Sequence, residues 1–267
     1  MTAFRLPDYL DARVEPPPAV AALGLKPLPE GVENRRHGRD GIALVCDGRG
    51  LHLELRDGSR VIKLAVDFAD LRHRAKINQA RSEMLVRACG VPNDGSPWRI
   101  VDATAGLGRD GYLLAVCGAT VTLVERHPVL QLLLADALSA LALANPETHA
   151  RIVLQAGEST AFLQACAGRP PGERPDVVYC DPMFPPATKS AAVGGDMQVL
   201  HELIGMTPDA GELLAAALRA ATRRVVVKRP LRAEALAATG LEHIRPSYAL
   251  EGRASRFDVY LVPTLPL

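Results

Sequence analysis

Residues 98–125 read WRIVDATAGLGRDGYLLAVCGATVTLVE, and this stretch decides the fold. Arg99–Asp102 is a short apolar run that closes on an acid. Residues 119–125 (ATVTLVE) form a second, β-branched run that also closes on an acid. Between them, glycines at 106, 108 and 111 mark a tight loop opening a helical stretch. Strand, glycine loop, helix and strand in that order make one βαβ unit. Near-continuous apolar strands of this kind belong to a parallel sheet covered by helices on both faces.

The same alternation continues outward. Strand-like runs recur at 151–155, 176–180 (DVVYC) and 223–228 (RRVVVK), with helical stretches at 129–144 and 213–222. Pro128 can occupy the first turn of the former helix. The last two strand candidates, 243–250 and 256–262, have only Glu251–Ser255 between them, too short for a crossover, so they must pair antiparallel. Towards the N-terminus, 71–89 turns helical and stops at Gly90, a C-cap residue. Before it, Ile42–Cys46, Leu51–Leu55 and Arg60–Val66 read as strands separated by the Asp47-Gly48 and Asp57-Gly58 turns, hence a small antiparallel β unit. The expected organisation is a small β-rich domain over 1–70 and an α/β domain over 71–267.

Composition bounds the function. The chain has 267 residues, 48% hydrophobic and 23% charged, with a formal net charge of +1. These values exclude disordered, collagenous and strongly cationic classes, though not a local basic face. The five cysteines include no C-x-x-C pair, so reduced core thiols and no metal site are expected. The N-terminal segment carries Asp8, Asp11 and Glu15 and lacks the apolar stretch of a signal peptide. The apolar run 129–144 is too short to span a membrane. A cytoplasmic protein is expected, with no membrane partner. The basic residues are 26 Arg against 5 Lys; Arg suits phosphate recognition, but a GC-rich genome, which favours Arg codons regardless of function, is the simpler explanation of that ratio.

Ligands of open α/β sheets bind beyond the carboxyl ends of the strands, where glycines let a ligand approach the backbone. Gly106, Gly108 and Gly111 satisfy G-x-G-x-x-G, and Glu125 stands where a carboxylate accepts both hydroxyls of an adenosine ribose. That carboxylate suits NAD and S-adenosylmethionine (SAM) alike. Asp102, four residues before Gly106, favours SAM: an acid there repels a pyrophosphate but suits a sulfonium and an ammonium. After the third run, Gly157-Glu158-Ser159 offers an acceptor for the adenine amine, or alternatively an ordinary helix N-cap at Ser159.

The fourth run ends in Asp181-Pro182-Met183-Phe184-Pro185-Pro186. This resembles the D/N-P-P-Y/F segment of methyltransferases that act on planar amino groups. Such an amine is a poor nucleophile because its lone pair is delocalised into the ring. The Asp181 carboxylate and the Pro182 carbonyl can both accept from it and orient it, while Phe184 stacks on the base.

Four blocks, VDATAGLGRDGYLL (101–114), LVERHPVLQLLLAD (123–136), VVYCDPMFPPATKSA (177–191) and RRVVVKRP (223–230), with the closing SRFDVYLVP (255–263), resemble the RsmJ-type 16S ribosomal RNA guanine-N2 methyltransferases. The resemblance implies a Rossmann-like class I fold: a mostly parallel seven-stranded sheet with a C-terminal antiparallel hairpin and an N-terminal β extension. It implies SAM as cofactor, S-adenosylhomocysteine as product, and 16S ribosomal RNA or the small ribosomal subunit as partner. By position, Arg109-Asp110 and Glu125-Arg126 would contact the cofactor. Gly157-Glu158 would border the adenine, and Asp181 would lie between cofactor and base. Met183 replaces the second proline of the general amino-methyltransferase segment.

Basic residues that could hold RNA are Arg35-Arg36-His37-Arg39, then Arg72, Arg74 and Lys76, then Lys228, Arg229 and Arg232, with Lys189 following the Asp181 loop. A solvated face is the other reading of each cluster. Two rival functions remain: an NAD-dependent oxidoreductase, which leaves 181–184 unexplained, and a non-catalytic RNA-binding protein with a decayed cofactor pocket.

Overall fold

The computed structural model describes residues 5–27, 41–57, 60–68, 77–182, 199–200, 203–204 and 209–262. They fall into two compact units. The first comprises Met1–Asp67, His127–Ala137 and Met183–Met206; the second comprises Phe68–Arg126, Leu138–Pro182 and Thr207–Leu267.

In the first unit, β1 (Tyr9–Ala12), β2 (Lys26–Pro27), β3 (Gly41–Asp47), β4 (Gly50–Asp57) and β5 (Arg60–Ala65) form a sheet in the order β2-β1-β3-β4-β5. The antiparallel meander β3-β4-β5 lies where the alternation puts it, with Leu44, Leu53 and Leu64 in register across it. The expectation of a purely antiparallel unit is corrected: β1 pairs parallel with both β2 and β3. A four-residue and a two-residue strand, the latter half proline, carry too little period to read in isolation. The ladder and the Asp8 carboxylate, which accepts from Ile42 N–H at 2.8 Å, hold β1 in place. At Gly50 (φ +107°) a Cβ would lie 2.4 Å from Asp136 Oδ2, which instead accepts the Leu51 N–H at 2.9 Å. His127 is fully buried; its Nδ1 accepts from Val129 N–H, so its Nε2 carries the proton donated to the Arg5 carbonyl. It is a buried structural residue.

The second unit contains α2 (Ile77–Ser82), α3 (Met84–Cys89), β6 (Arg99–Asp102), α4 (Arg109–Val116), β7 (Thr120–Glu125), β8 (Ile152–Ala156), α7 (Ser159–Ala167), β9 (Val177–Cys180), α8 (Ala210–Ala220), β10 (Arg224–Pro230), β11 (Tyr248–Glu251) and β12 (Ser255–Leu261). The helices α1 (Pro18–Ala21), α5 (Pro128–Ala144) and α6 (Pro146–His149) complete the numbering, and α5 contributes residues to both units. The seven strands run in the order β11-β12-β10-β9-β6-β7-β8. All pairs are parallel except those of β12 with β10 and with β11. This is the Rossmann-like class I sheet with its closing hairpin.

Two details differ from the sequence reading. Of the stretch 71–89, the described residues 77–89 hold two helices broken at Glu83, whose ψ of 138° is extended; Gly90 (φ 67°) does close the second. The strand expected over 243–250 begins only at Tyr248, because Pro246 has no N–H to give a ladder. One face of the sheet buries Val101, Val178, Val225 and Val227 against Leu163 of α7 and Leu213, Leu214 and Ala217 of α8. All five cysteines are buried free thiols. No helix among the described residues is long and apolar enough to cross a membrane.

Candidate active site

The chain leaves β6 for β7 on one side and returns to β9 on the other, so the strand order reverses between β6 and β9. In open α/β sheets the crevice outside the carboxyl ends at such a reversal is the ligand site. Asp102 ends β6 and Asp181 follows β9, one on each side of it.

Asp102 is 1% exposed and pairs in register with Leu123 and Tyr179. Burial, and then the neighbouring charge of Asp110, pushes its carboxyl up to about 8, opposed by the Thr104 N–H it accepts. The loop after it is stitched to both flanking strands: Ala103 N–H donates to the Tyr179 carbonyl and Ala105 N–H to the Val124 carbonyl. Gly106 (φ 53°) and Gly108 (φ 68°) take left-handed backbone that glycine adopts without strain. Gly111 is needed for a different reason. A Cβ there would sit 2.2 Å from Leu123 Cδ2 and 3.2 Å from Asp102 Oδ2, so only a bare backbone lets α4 approach β6 and β7.

Glu125, buried at the end of β7, accepts the Gly106 N–H at 2.8 Å, which sets its carboxylate against the glycine loop. Gly157 N–H donates to the Glu125 carbonyl, and Arg126 pairs with Glu158 at 3.8 Å. Glu158 is the residue before α7, and its side chain is exposed. Ser159 is not the N-cap: it lies inside α7, and its hydroxyl donates to the Ala103 carbonyl at 2.6 Å, tying the helix to the β6 loop. Arg109 is exposed at the start of α4.

Asp181 and Pro182 stand beside this loop. The Asp181 N–H donates to Thr104 Oγ1 at 2.6 Å, and its Oδ2 receives the Lys228 ammonium at 2.7 Å. Lys228 also lies 3.6 Å from Asp110 Oδ2, to which the Tyr179 hydroxyl donates at 2.6 Å. Burial raises the Asp181 carboxyl, Lys228 partly offsets that, and Asp110 adds to it. Burial, with the nearby charges of Asp110, Asp181 and Asp102, pushes the Tyr179 phenol well up, so it remains a donor.

Lys228, read from the sequence as an RNA contact, forms ion pairs with Asp181 and Asp110. Arg229 donates to the Glu234 carbonyl at 2.7 Å. Phe184, Lys189, Arg72, Arg74, Lys76 and the Arg35–Arg39 cluster lie outside the described residues. The sequence reading did not single out Thr104 and Tyr179. A tyrosine inside an otherwise aliphatic strand, two residues before Asp181 and so on its face, was the available signal.

The arrangement fits SAM. Three acids, Asp102, Asp110 and Asp181, gather at the carboxyl ends of β6 and β9, and burial with the neighbouring negative charges raises Asp102, so the site gains from a cation. Glu125 stands against the glycine loop at the end of β7, where the sequence reading places a ribose acceptor.

A family model described as "Putative SAM-dependent methyltransferase" matches residues 31–262. A relative from Thioalkalivibrio sulfidiphilus, named ribosomal RNA small subunit methyltransferase J, is 45% identical over 226 residues, covering 82% of this chain and 84% of its own. A relative of the same name from Dechloromonas aromatica is 39% identical over 248 residues, covering 91% and 96%. The crystal structure of a SAM-dependent methyltransferase from Neisseria gonorrhoeae superposes with a TM-score of 0.69 at 30% identity, covering 97% of each chain. The oxidoreductase reading has no support among these. The glycine loop, the acid-lined crevice at the β6/β9 reversal and these likenesses agree: the chain belongs to the family of SAM-dependent methyltransferases whose curated relatives carry the name ribosomal RNA small subunit methyltransferase J.

Proposed function

We propose that this chain transfers the SAM methyl group to the exocyclic N2 of a guanine in 16S ribosomal RNA. The relatives' name supports ribosomal RNA of the small subunit as the substrate class, and the resemblance of the Asp181 segment to amino-methyltransferases supports a nucleobase amine as the acceptor. One observation carries the chemistry: an acid beside the crevice, Asp181, is held at its main chain by Thr104 and at one carboxylate oxygen by Lys228.

Glu125 would hold the ribose, with Gly106 and Gly108 shaping the loop around it and Arg109, Arg126, Gly157, Glu158 and Ser159 bordering the pocket. Asp102 and Asp110 would face the cationic part of the cofactor. When bound, SAM supplies an activated methyl on sulfur; no metal is required for such a transfer. Asp181 and the Pro182 carbonyl accept from the amine and aim its nitrogen at that carbon, and Phe184 would stack on the base. Arg229, Lys189, Arg72, Arg74 and Lys76 are the proposed contacts to RNA. The target base must be unpaired or turned out of its helix to reach Asp181.

Labelled-methyl transfer to small subunits and to naked ribosomal RNA from cells lacking this protein tests the reading. Incorporation at one guanine, released as the N2-methylated base, is the expected result. Label on another base or on ring nitrogen would refute the amine assignment, and SAM binding without incorporation into either RNA would favour a non-catalytic role.

A further inference from the structure

We propose that Lys228 is the positioning residue for Asp181: its ammonium takes one carboxylate oxygen, Oδ2, and keeps the acid ionised, leaving Oδ1 to accept the nucleobase amine. The inference rests on the function proposed above for Asp181, and it assigns Lys228 to the reaction centre instead of to RNA phosphates.

The juxtaposition follows from sheet register. Val227 of β10 pairs in parallel with Cys180 of β9, so the next residue on each strand, Lys228 and Asp181, emerge side by side at the carboxyl ends. Their side chains meet at 2.7 Å. Lys228 is also 3.6 Å from Asp110, so it stands between two acids, and among the described residues no other cation forms an ion pair with either. Only a third of its side chain is exposed. Reaching out to a phosphate would strand both carboxylates.

Asp181 sits in a crowded field. Asp110 faces it from α4, Asp102 from β6, and Tyr179 and Cys180 belong to its own strand, with Lys228 on β10. Apart from Lys228, each of these is neutral or negative. Removing the ammonium would leave burial and the Asp110 charge unopposed, and the Asp181 carboxyl would hold its proton to higher pH. A protonated carboxyl has lost the charge that draws the amine's hydrogen and polarises its nitrogen. Lys228 engages Oδ2, so the two oxygens have separable tasks.

The test compares wild type with Lys228→Met, Lys228→Gln and Lys228→Arg. Methyl transfer to small subunits is followed against pH, and the Asp181 carboxyl titration is followed by carbon NMR in the cofactor-free protein. Lys228→Met should lower kcat at neutral pH by roughly 10- to 100-fold, the scale of a misplaced catalytic group. It should leave KM for the subunit little changed and move the acid limb of the profile up by about 1–3 pH units. Lys228→Arg should recover most of the rate and the wild-type limb. Lys228→Gln keeps a hydrogen-bond donor without charge, so it should show the same upward limb, and it serves if the methionine variant does not fold. A raised KM with kcat and acid limb unchanged would make Lys228 a phosphate contact and overturn the proposal. If wild type itself methylates no RNA, the proposed function fails separately. The NMR titration then decides: an Asp181 pKa that does not rise in Lys228→Gln removes the role assigned to Lys228.

Discussion

The two ends of the seven-stranded sheet treat charge in opposite ways. At the amino ends, Asp176 is matched several times over. Its carboxylate accepts from Arg99 N–H at 2.9 Å and from Arg223 Nε at 3.1 Å. Arg223 and Arg224 lie over the Trp98 ring at 4.8 and 5.6 Å, and Arg224 also donates to the Ala88 carbonyl at 3.2 Å. At the carboxyl ends, Asp102, Asp110 and Asp181 crowd together, and Lys228 is the cation that pairs with the last two. The first arrangement stabilises the fold. The second leaves Asp102 and Asp181 raised above the ordinary carboxylate range, which a protein tolerates where a ligand will supply the missing charge.

Substitutions at the carboxyl ends should therefore change chemistry, and those at the amino ends only stability. Asp181→Ala should have the largest effect, a loss of about 100- to 10,000-fold in methyl transfer with cooperative unfolding retained. A near-normal rate would remove the proposed amine acceptor. Next, Glu125→Ala should weaken SAM binding by about 1–3 kcal/mol, measured by calorimetry; an unaltered Kd would mean the ribose lies elsewhere.

Asp102 gives the comparison a pH signature. Its folded-state carboxyl lies at about 8, above its unfolded value, so the native protein keeps a proton that the unfolded chain has lost. Stability should fall as pH rises from about 4 to 8, with this group contributing a slope of up to about 1.4 kcal/mol per pH unit. Asp102→Asn should flatten that part of the Tm-against-pH curve, whereas identical curves for the two proteins would place the proton on another group. The smallest effect belongs to the opposite end. Asp176→Ala should cost about 1–2 kcal/mol in denaturant unfolding while SAM affinity and transfer rate stay at wild-type values. A fall in the rate would show that the two ends are coupled.

Much of this was legible in the chain itself. β6 to β10 are compact β-branched runs bounded by glycine, proline and acids, and each lies within a few residues of its expected position. The acids at strand ends could be read because a charged residue closing an apolar run has one place to go. What escaped has a common cause. β1 and β2 are too short to show a period and exist through their partners. Lys228 looked like one more basic residue because a strand read alone does not reveal its neighbour; only the pairing of Val227 with Cys180 brings it to Asp181. Thr104 and Ser159 likewise act across strands, through Asp181 N–H and the Ala103 carbonyl. The stacking role expected of Phe184 falls on residues outside those described.

The placement of Trp98 has a practical corollary. It is the sole indole in the sequence, and two guanidinium groups roof it at the base of the sheet. Its fluorescence is thus an intrinsic thermometer of the scaffold, quiet towards events at the opposite rim. Intrinsic emission and isotope incorporation then give two independent channels, one reporting whether a variant is folded and the other whether it works.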